Sequence, residues 1–357
     1  MDTTRKPEGR ISAGFAAELR KAISGGKPAA GQFLPSEREL AEKHELARKT
    51  VRAALKSLEG EGVIATVPRR GYRVLPAGGD SVQPAAVAYV CELSDASRMT
   101  GRYQAQLAEF QRAADRRGWP FLAASLKDRS RAEVLEQLSS AHAAGAVLDT
   151  ANRELIQMVV ASGIPAVLVD AWREDAEIDS VMQDGHQGGL LAVAHLVARG
   201  HRRIAWFGST VNDAHSKDRF GGFAAGMASA ELPLGPDSCT AVAGARALDR
   251  AREWLARADR PTGIVAPWGE FAAAAAKAAS ERKLRLGRDL DLVGWSMAEV
   301  YDTDYRPLFA GGRVPATVTW SVRAMAEAAM ARLAERQFNP AMAALRVRIP
   351  MRLVLET

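Results

Sequence analysis

The sequence predicts an α/β protein in two parts: an N-terminal winged helix-turn-helix and a larger two-lobed domain with doubly wound parallel sheets. Three observations lead to this prediction. Residues 34–74 combine two short amphipathic helices with a basic hairpin, and the rest of the chain alternates short apolar runs with amphipathic helices. The whole positive excess of the 357 residues lies in the first part. We expect domains at 1–75 and 85–357, joined by a linker at 76–84.

The first part begins with two helices. Ile11–Ile23 carries its apolar residues on one side, as a helix packed on a small core does. Ser36 stands three residues before Glu39, which is the capping-box spacing, so a second helix is expected from there to about His44.

A third helix and a hairpin complete this part. The helix begins near Arg48, because apolar residues then recur at spacings of three and four. The remaining residues of its first turn and a half are basic or polar, namely Arg48, Lys49, Thr50 and Arg52. Short β-type runs at 63–67 and 72–75 follow, and they enclose Arg69, Arg70 and Gly71. This pattern predicts a wing with arginines at its tip.

Charge separates the two parts of the chain. Residues 1–75 hold 15 Lys and Arg against 9 Asp and Glu, whereas the remainder holds 33 of each kind. A basic module on a neutral body is typical of a nucleic-acid binder, which gains affinity by displacing counterions from phosphates. The alternative is a solvated helical hairpin whose charges only keep the protein soluble.

The segments LPSERELA, RKTVRAAL and RRGYRV resemble the GntR-type winged helix. The resemblance implies DNA contacts from the residues that match the family motif: Arg38, Arg48, Thr50, Arg52, Arg70 and Gly71. We add Lys49 as a phosphate contact and Arg69 at the wing tip, and we expect Arg48 and Arg52 to meet guanine edges. Two positions depart from the family pattern. Ala47 replaces the Ser or Thr N-cap, and Arg69 replaces the first wing glycine.

The second part reads as repeated strand and helix units. Ten short apolar runs between residues 86 and 319 alternate with seven amphipathic stretches, which favours parallel sheets with crossover helices. In such folds small ligands bind at the carboxyl ends of the strands, here in the cleft between two lobes.

Local motifs in this part resemble the LacI/GalR-type effector domain, which is itself similar to periplasmic sugar-binding proteins. The motifs are IPAVLVDAW at 164–172, RGHRRIA at 199–205, DRFGGF at 218–223, DLVGWS at 291–296 and IPMRLVLET at 349–357. The resemblance implies that Asp170 and Arg219 hold the effector. A GntR-type domain joined to this body resembles the architecture of arabinose-repressor-type regulators.

Other expected pocket residues depart from the family set. Ser296 stands where the family has Asp, and Gly269 and Glu270 replace a polar-Asp pair. Trp172, Trp268 and Trp295 all follow predicted strand ends, where an aromatic face could stack on a ring-shaped ligand. The alternative for each tryptophan is a place in the core. Asp95 and Arg98, in the loop after the first strand, are further candidates.

Composition and motifs exclude several classes of protein. The two cysteines predict no disulfide framework, the N-terminus lacks a secretory leader, and no apolar run is long enough for a membrane helix. We find no catalytic constellation and no metal spacing among the six histidines, so we expect no cofactor, no metal and no enzymatic activity.

The features together predict a ligand-responsive transcriptional regulator of the cytoplasm. We expect a repressor that binds double-stranded operator DNA as a homodimer, with a sugar or related polar metabolite in the inter-lobe cleft. A cleft enzyme and a solute-binding protein are the alternatives.

Overall fold

The computed structural model divides the chain into two units, Met1–Pro84 and Ala85–Thr357. It describes residues 6–28, 32–67, 71–75, 86–91, 101–126, 129–141, 143–210, 214–235, 238–240 and 246–355. The linker predicted at 76–84 lies outside the described residues.

The first unit is a three-helix domain with a hairpin. Its elements are α1 (Lys6–Ser24), α2 (Glu37–Lys43), α3 (Arg48–Gly60), β1 (Ile64–Val67) and β2 (Gly71–Val74). The two strands pair antiparallel, and Phe33 adds a bridge to Arg73 on the outer side of β2. This is the winged helix-turn-helix that the sequence predicts.

Local signals set the starts of α2 and α3 as expected. The capping box is confirmed, because the Ser36 N–H donates to Glu39 Oε2 at 2.7 Å and the Ser36 hydroxyl accepts from the Glu39 N–H at 3.2 Å. Ala47 gives α3 no side-chain cap. The apolar stripe of α3 is also confirmed, since Val51, Ala54, Leu55 and Leu58 are fully buried.

The first lobe of the second unit is a six-stranded parallel sheet in the order β4-β3-β5-β6-β7-β13. The strands are β3 (Val87–Cys91), β4 (Phe121–Ser125), β5 (Gly145–Asp149), β6 (Ala166–Val169), β7 (Asp179–Gln183) and β13 (Arg346–Ile349). The helices are α4 (Gly101–Asp115), α5 (Arg131–Ser140), α6 (Arg153–Ala161) and α11 (Val322–Phe338).

The second lobe repeats this plan with the order β9-β8-β10-β11-β12-β14, in which only the edge strand β14 is antiparallel among the described strands. Its strands are β8 (Ile204–Phe207), β9 (Cys239–Thr240), β10 (Gly263–Val265), β11 (Asp291–Met297), β12 (Ala316–Trp320) and β14 (Arg352–Val354). Its helices are α7 (Gly185–Ala198), α8 (Ala214–Ser229), α9 (Ala247–Ala256) and α10 (Gly269–Glu281), and short helical turns cover Ala298–Phe309.

The chain passes between the lobes three times, after β7, after β12 and after β13. One cluster of buried apolar side chains extends from the sheet of the first lobe into that of the second, and includes Met297, Trp320 and Met351 near the crossings. Because all described strands except the edge strand β14 are parallel to their neighbours, the carboxyl ends of these strands provide the ligand-binding edge of such a fold.

The structure differs from the sequence predictions at several elements. They include helix α6, strands β13 and β14 and the short helical turns at 298–309, which were not predicted; α1 begins at Lys6 and not at Ile11, and β11 continues to Met297, beyond Trp295, which was expected to follow a strand end. Among the described residues, no helix has both the length and the apolar character that crossing a membrane requires.

Candidate functional site

The exposed face of α3 carries a basic group of side chains. Arg48, Lys49 and Arg52 are exposed on this helix, and Arg38 is exposed on α2. Thr50 is different, because it is only 8% exposed. The expectation that Thr50 faces DNA together with the arginines is therefore corrected: the structure buries it on the core side of α3.

Arg52 is held by a carboxylate of α2. Its Nη2 lies 2.7 Å from Glu37 Oε2, and its Nε lies 3.1 Å from both carboxylate oxygens. The Tyr72 hydroxyl of the wing donates to Glu37 Oε1 at 3.3 Å. Hydrogen bonds from Arg52, and the nearby charges of Arg52 and Arg48, lower the pKa of Glu37 below its usual value despite partial burial. The carboxylate therefore stays ionised at neutral pH.

The remaining predicted DNA contacts have simpler surroundings. Arg38 Nε lies 2.9 Å from Glu42 Oε1 in an exposed i,i+4 pair. Gly71 opens β2 with a φ of +105°, a conformation that favours glycine at the end of the hairpin turn. Arg69 and Arg70 lie outside the described residues.

A cavity of about 320 Å³ lies between the two lobes at the carboxyl ends of their strands, and we call it the inter-lobe cavity. Its lining comprises Arg102, Tyr103, Gln106, Asp149, Asp170, Gln183, His215, Trp268, Glu270 and Trp320. An adjoining cavity of about 450 Å³ shares Tyr103, Asp149, Asp170 and His215 with it. Together they form a cleft with polar walls and aromatic faces.

Asp149 ends β5 and forms part of the first-lobe wall. The Tyr89 hydroxyl donates to Asp149 Oδ2 at 2.7 Å, and Gln106 Nε2 donates to the same oxygen at 3.0 Å. Burial, together with the charge of Asp149, raises the pKa of Tyr89 well above its usual value, so this phenol remains a proton donor. The Asp149 carboxylate is thereby fixed in orientation.

Asp170 follows β6 in a left-handed backbone conformation, with a φ of +56°. Gln183 Nε2 donates to both of its oxygens at 3.1 and 3.2 Å. His215 Nδ1 of the second lobe lies 3.4 Å from Asp170 Oδ1, so these side chains meet across the cavity. The structure thus places Asp170 in the wall of the inter-lobe cavity.

Arg219 lies behind the cavity wall instead of on it. The side chain is fully buried, with Nη1 donating to the Pro267 carbonyl oxygen at 2.5 Å and Nη2 donating to Gln183 Oε1 at 2.8 Å. Its guanidinium carbon is 4.0, 4.7 and 5.3 Å from the ring centroids of Trp268, Trp295 and Trp320. The expectation that Arg219 meets an effector directly is corrected for this conformation, in which Arg219 supports residues that line the cavity.

The three predicted tryptophans have different places. Trp268 lines the inter-lobe cavity. Trp295 lies within β11, only 2% exposed, and its Nε1 donates to Gln183 Oε1 at 3.2 Å. Trp172 is partly buried and lines neither cavity.

Ser296 is also removed from the predicted lining set, since it is buried and its hydroxyl donates to the Met297 carbonyl oxygen at 3.1 Å. Asp95 and Arg98 lie outside the described residues.

Sequence reasoning missed several lining residues. Asp149, Gln183 and Trp320 each end a strand, so the argument applied to Trp172, Trp268 and Trp295 would also have selected them. His215 and Arg102 carried no such signal, because they approach the cleft from the first turn of a helix.

The RGHRRIA motif has a structural explanation. Arg199 and His201 both bind the buried carboxylate of Asp291 at the start of β11, with His201 Nε2 at 2.7 Å from Oδ2. Burial alone would raise the pKa of Asp291, but the hydrogen bonds from Arg199 and His201 lower it. The motif therefore anchors β11 in the second lobe and contributes nothing to the lining of the cleft.

Comparisons with known proteins agree with this two-part architecture. Residues 12–74 match the family described as bacterial regulatory proteins, gntR family, and residues 193–355 match the periplasmic binding protein-like domain. An arabinose metabolism transcriptional repressor from Geobacillus stearothermophilus is 27% identical over 78% of this chain and 79% of its own length. A repressor named PurR from Actinobacillus pleuropneumoniae is 26% identical, but the match covers 40% of this chain and 44% of that protein.

Among solved structures, a complex of the transcriptional regulator CelR with cellobiose aligns with a TM-score of 0.64 and 18% identity. The alignment covers 90% of this chain and 99% of that one, and it shows a common fold. These relatives are regulators, which does not favour the enzyme or solute-binding alternatives. The chain therefore combines a match to the gntR family over residues 12–74 with a match to the periplasmic binding protein-like domain over residues 193–355, and its second part has the fold of solved LacI-type structures.

Proposed function

We propose that this chain is a ligand-responsive transcriptional repressor of the cytoplasm that binds operator DNA as a homodimer. The observation that carries the proposal is the exposed basic face of α3, within a domain that matches the gntR family over residues 12–74. Recognition helices of this class enter the major groove with their N-terminal residues at the base edges.

The contacts follow from the position of each side chain. Arg48 and Arg52 are exposed on the first half of α3, so they are assigned to base edges, where a guanidinium can donate two hydrogen bonds to guanine. Arg38 and Lys49 flank them and are assigned to phosphates. Arg69, Arg70 and Gly71 form the proposed wing contact. Thr50 is left out of this set because it is buried.

The effector is assigned to the inter-lobe cavity. A relative named for arabinose metabolism and a neighbour solved with cellobiose support a sugar or related polar metabolite. Asp170 of the first lobe and Trp268 of the second lobe line the same cavity, so a ligand there contacts both lobes. A ligand that binds one arrangement of the lobes more tightly shifts the population toward it, and this is the proposed route to a change in DNA affinity.

A homodimer follows from the mode of DNA reading. Two recognition helices related by a two-fold axis read two half-sites about one helical turn, or a multiple of it, apart. Light scattering on the purified chain and footprinting on its upstream DNA test this point, since a monomer or a single protected half-site contradicts it.

The main test is DNA binding by the full chain. Titration of its own upstream region is compared for wild type, Arg52→Ala and Arg288→Ala, at several salt concentrations. Arg288 is a matched control, because it is an exposed arginine of the second unit. Arg52→Ala is expected to lose about 1–3 kcal/mol of discrimination against random DNA. Equal affinities for wild type and Arg52→Ala, with no dependence on salt, would contradict the proposal.

A further inference from the structure

Trp320 lines the inter-lobe cavity and carries a buried hydrogen-bond donor. It is the last residue of β12, it is 5% exposed, and it lines the cavity together with Asp170 and Trp268. Its indole Nε1 has no hydrogen-bond partner among the described residues. A buried N–H group that lacks an acceptor is costly, and in native proteins such groups are rare. A ligand acceptor would satisfy this donor.

The guanidinium expected to bind the ligand is committed elsewhere. Arg219 directs its Nη atoms to Pro267 and Gln183, and its charge lies against the faces of Trp268, Trp295 and Trp320. It is fully buried and absent from the lining of both cavities. A ligand in the inter-lobe cavity therefore contacts Trp268 and Trp320, which separate it from Arg219.

The charges that line the cleft favour a ligand without an anionic group. Asp149, Asp170 and Glu270 bring three carboxylates to the inter-lobe cavity, and among its described lining residues only Arg102 is Lys or Arg. The described residues that line the adjoining cavity include no Lys and no Arg. The Arg102 guanidinium lies over the Tyr103 ring at 4.9 Å from its centroid and 5.4 Å from that of Trp268. Carboxylates accept hydrogen bonds from hydroxyl or ammonium groups and repel phosphate.

We propose that the Trp320 indole N–H donates to an acceptor oxygen of the effector, and that the cleft selects a neutral or aminated polyhydroxylated ring over its phosphorylated analogue. This inference rests on the proposed function, because it assigns the ligand class of the same cleft. Hydroxyl or amine donors of the ring meet Asp149 and Asp170, while the ring face packs on Trp268. Trp320 is the specificity-determining donor that fixes the orientation of the ring.

The test measures direct binding to the full chain without DNA, by titration calorimetry. Two sets of probes share a ring and differ in charge: D-ribose with D-ribose 5-phosphate, and D-glucose with D-glucosamine and D-glucose 6-phosphate. L-Arabinose and cellobiose are additional neutral probes. At least one neutral or aminated probe is expected to bind, and any phosphorylated partner is expected to bind at least about tenfold more weakly.

Variants then test the two residues separately with the probe that binds. Trp320→Phe keeps the aromatic ring but removes the donor, so affinity is expected to fall about five- to tenfold. Trp254→Phe is the matched control, because Trp254 is a buried tryptophan of α9 that lies outside both cavities, and it should bind like wild type. Glu270→Gln changes an exposed carboxylate and is expected to reduce the discrimination against the phosphorylated probe about two- to threefold.

Three results would contradict this proposal. Tighter binding of a phosphorylated probe, failure of every neutral and aminated probe to bind, or unchanged affinity in a folded Trp320→Phe protein would overturn it. If Trp320→Phe does not fold, the charge-matched probes on the wild type and on Glu270→Gln still decide the ligand class. The proposed function fails on a different measurement, namely DNA affinity that does not respond to a probe shown to bind.

Discussion

Arg52 of α3 and Glu37 of α2 form a forked ion pair, with Arg52 Nη2 2.7 Å from Glu37 Oε2. Glu37 also accepts a hydrogen bond from the Tyr72 hydroxyl of β2, so one carboxylate joins α2, α3 and β2. A fork of two N–H donors on a carboxylate has a defined plane, and it selects one rotamer of Arg52 before DNA is present. Glu37 is therefore a positioning residue for the proposed base contact.

Glu37→Gln is expected to separate affinity from specificity. The change removes a negative charge close to the arginines that are proposed to contact DNA, so affinity for random DNA should rise. It also releases the Arg52 rotamer, so the ratio of upstream-region affinity to random-DNA affinity should fall about three- to tenfold. Both affinities are measured at one salt concentration.

Glu42→Gln is the matched control for this prediction. Glu42 is an exposed carboxylate of the same helix that pairs with Arg38, the proposed phosphate contact. Its removal should raise both affinities to a similar extent and leave their ratio unchanged. A constant ratio in Glu37→Gln would show that Glu37 does not position Arg52.

The fold was predictable where local patterns decide it. The capping box at Ser36 and the apolar stripe of α3 act within one helix, and the sequence contains them in full. Strand β13 was missed because it is an edge strand with exposed arginines at 346 and 348, so it lacks the apolar run of an inner strand. Trp295 was assigned beyond its strand because β11 is buried along all seven residues, which depends on packing against both faces.

In the cleft, too, local motifs predict which residues are present, whereas contacts between distant residues decide which of them line the cavity. The family motif implies that Arg219 holds the effector, whereas the structure buries Arg219 behind the wall of the inter-lobe cavity. Its partners Gln183 and Pro267 are 36 and 48 residues away in the chain, so its burial could not be read from the motif. Trp320 was accessible to the strand-end argument, whereas its unpaired indole nitrogen depends on which groups the fold brings near it.

Gly222 and Gly221 provide a matched test of how α7 and α8 pack. A Cβ atom at Gly222 would lie 2.0 Å from the His186 carbonyl oxygen, whereas at Gly221 the nearest group is His186 Nδ1 at 3.7 Å. Gly222→Ala must therefore push the helices apart, at a cost of about 1–3 kcal/mol or more. Gly221→Ala should be neutral or stabilise α8 by up to about 1 kcal/mol. Urea unfolding of both full-length variants checks this, and equal midpoints would contradict the close approach.

The N-termini of α2 and α3 predict opposite changes in helix stability when a capping hydroxyl is removed from one and added to the other. Ser36 caps α2, so Ser36→Ala should destabilise it by about 1 kcal/mol. Ala47 leaves α3 without a side-chain cap, so Ala47→Ser should stabilise it by a similar amount. Hydrogen exchange of the amides in 37–43 and 48–60 reports each helix separately. Slower exchange in α2 of Ser36→Ala, or no change in α3 of Ala47→Ser, would contradict the assignment of the caps.

Asp179 is a buried charge that joins three segments of the first lobe. It is fully buried at the start of β7, where it accepts from Arg332 Nη2 at 2.8 Å, Arg336 Nε at 2.7 Å and the Leu345 N–H at 2.7 Å. It thereby joins β7 to α11 and to the segment that leads into β13. Asp179→Asn leaves two largely buried arginines without this counter-charge, so the free energy of unfolding should fall by about 3–5 kcal/mol at pH 7.

The loss should depend on pH in one direction. Burial alone would raise the pKa of Asp179, but hydrogen bonds from Arg336 and Arg332 lower it below its usual value of 3.8. A carboxyl whose pKa is lower in the folded state stabilises fully above the unfolded-state pKa, and this contribution is lost as pH falls through the folded-state pKa. The difference in unfolding free energy between wild type and Asp179→Asn should therefore be constant near neutral pH and shrink below about pH 3.8.

Urea unfolding between pH 7 and pH 3 measures this difference. Asp259→Asn is the control, since Asp259 is an exposed carboxylate paired with Arg257. A difference that grows on acidification would mean that Asp179 is protonated in the folded protein and that its two arginines are stabilised by other groups.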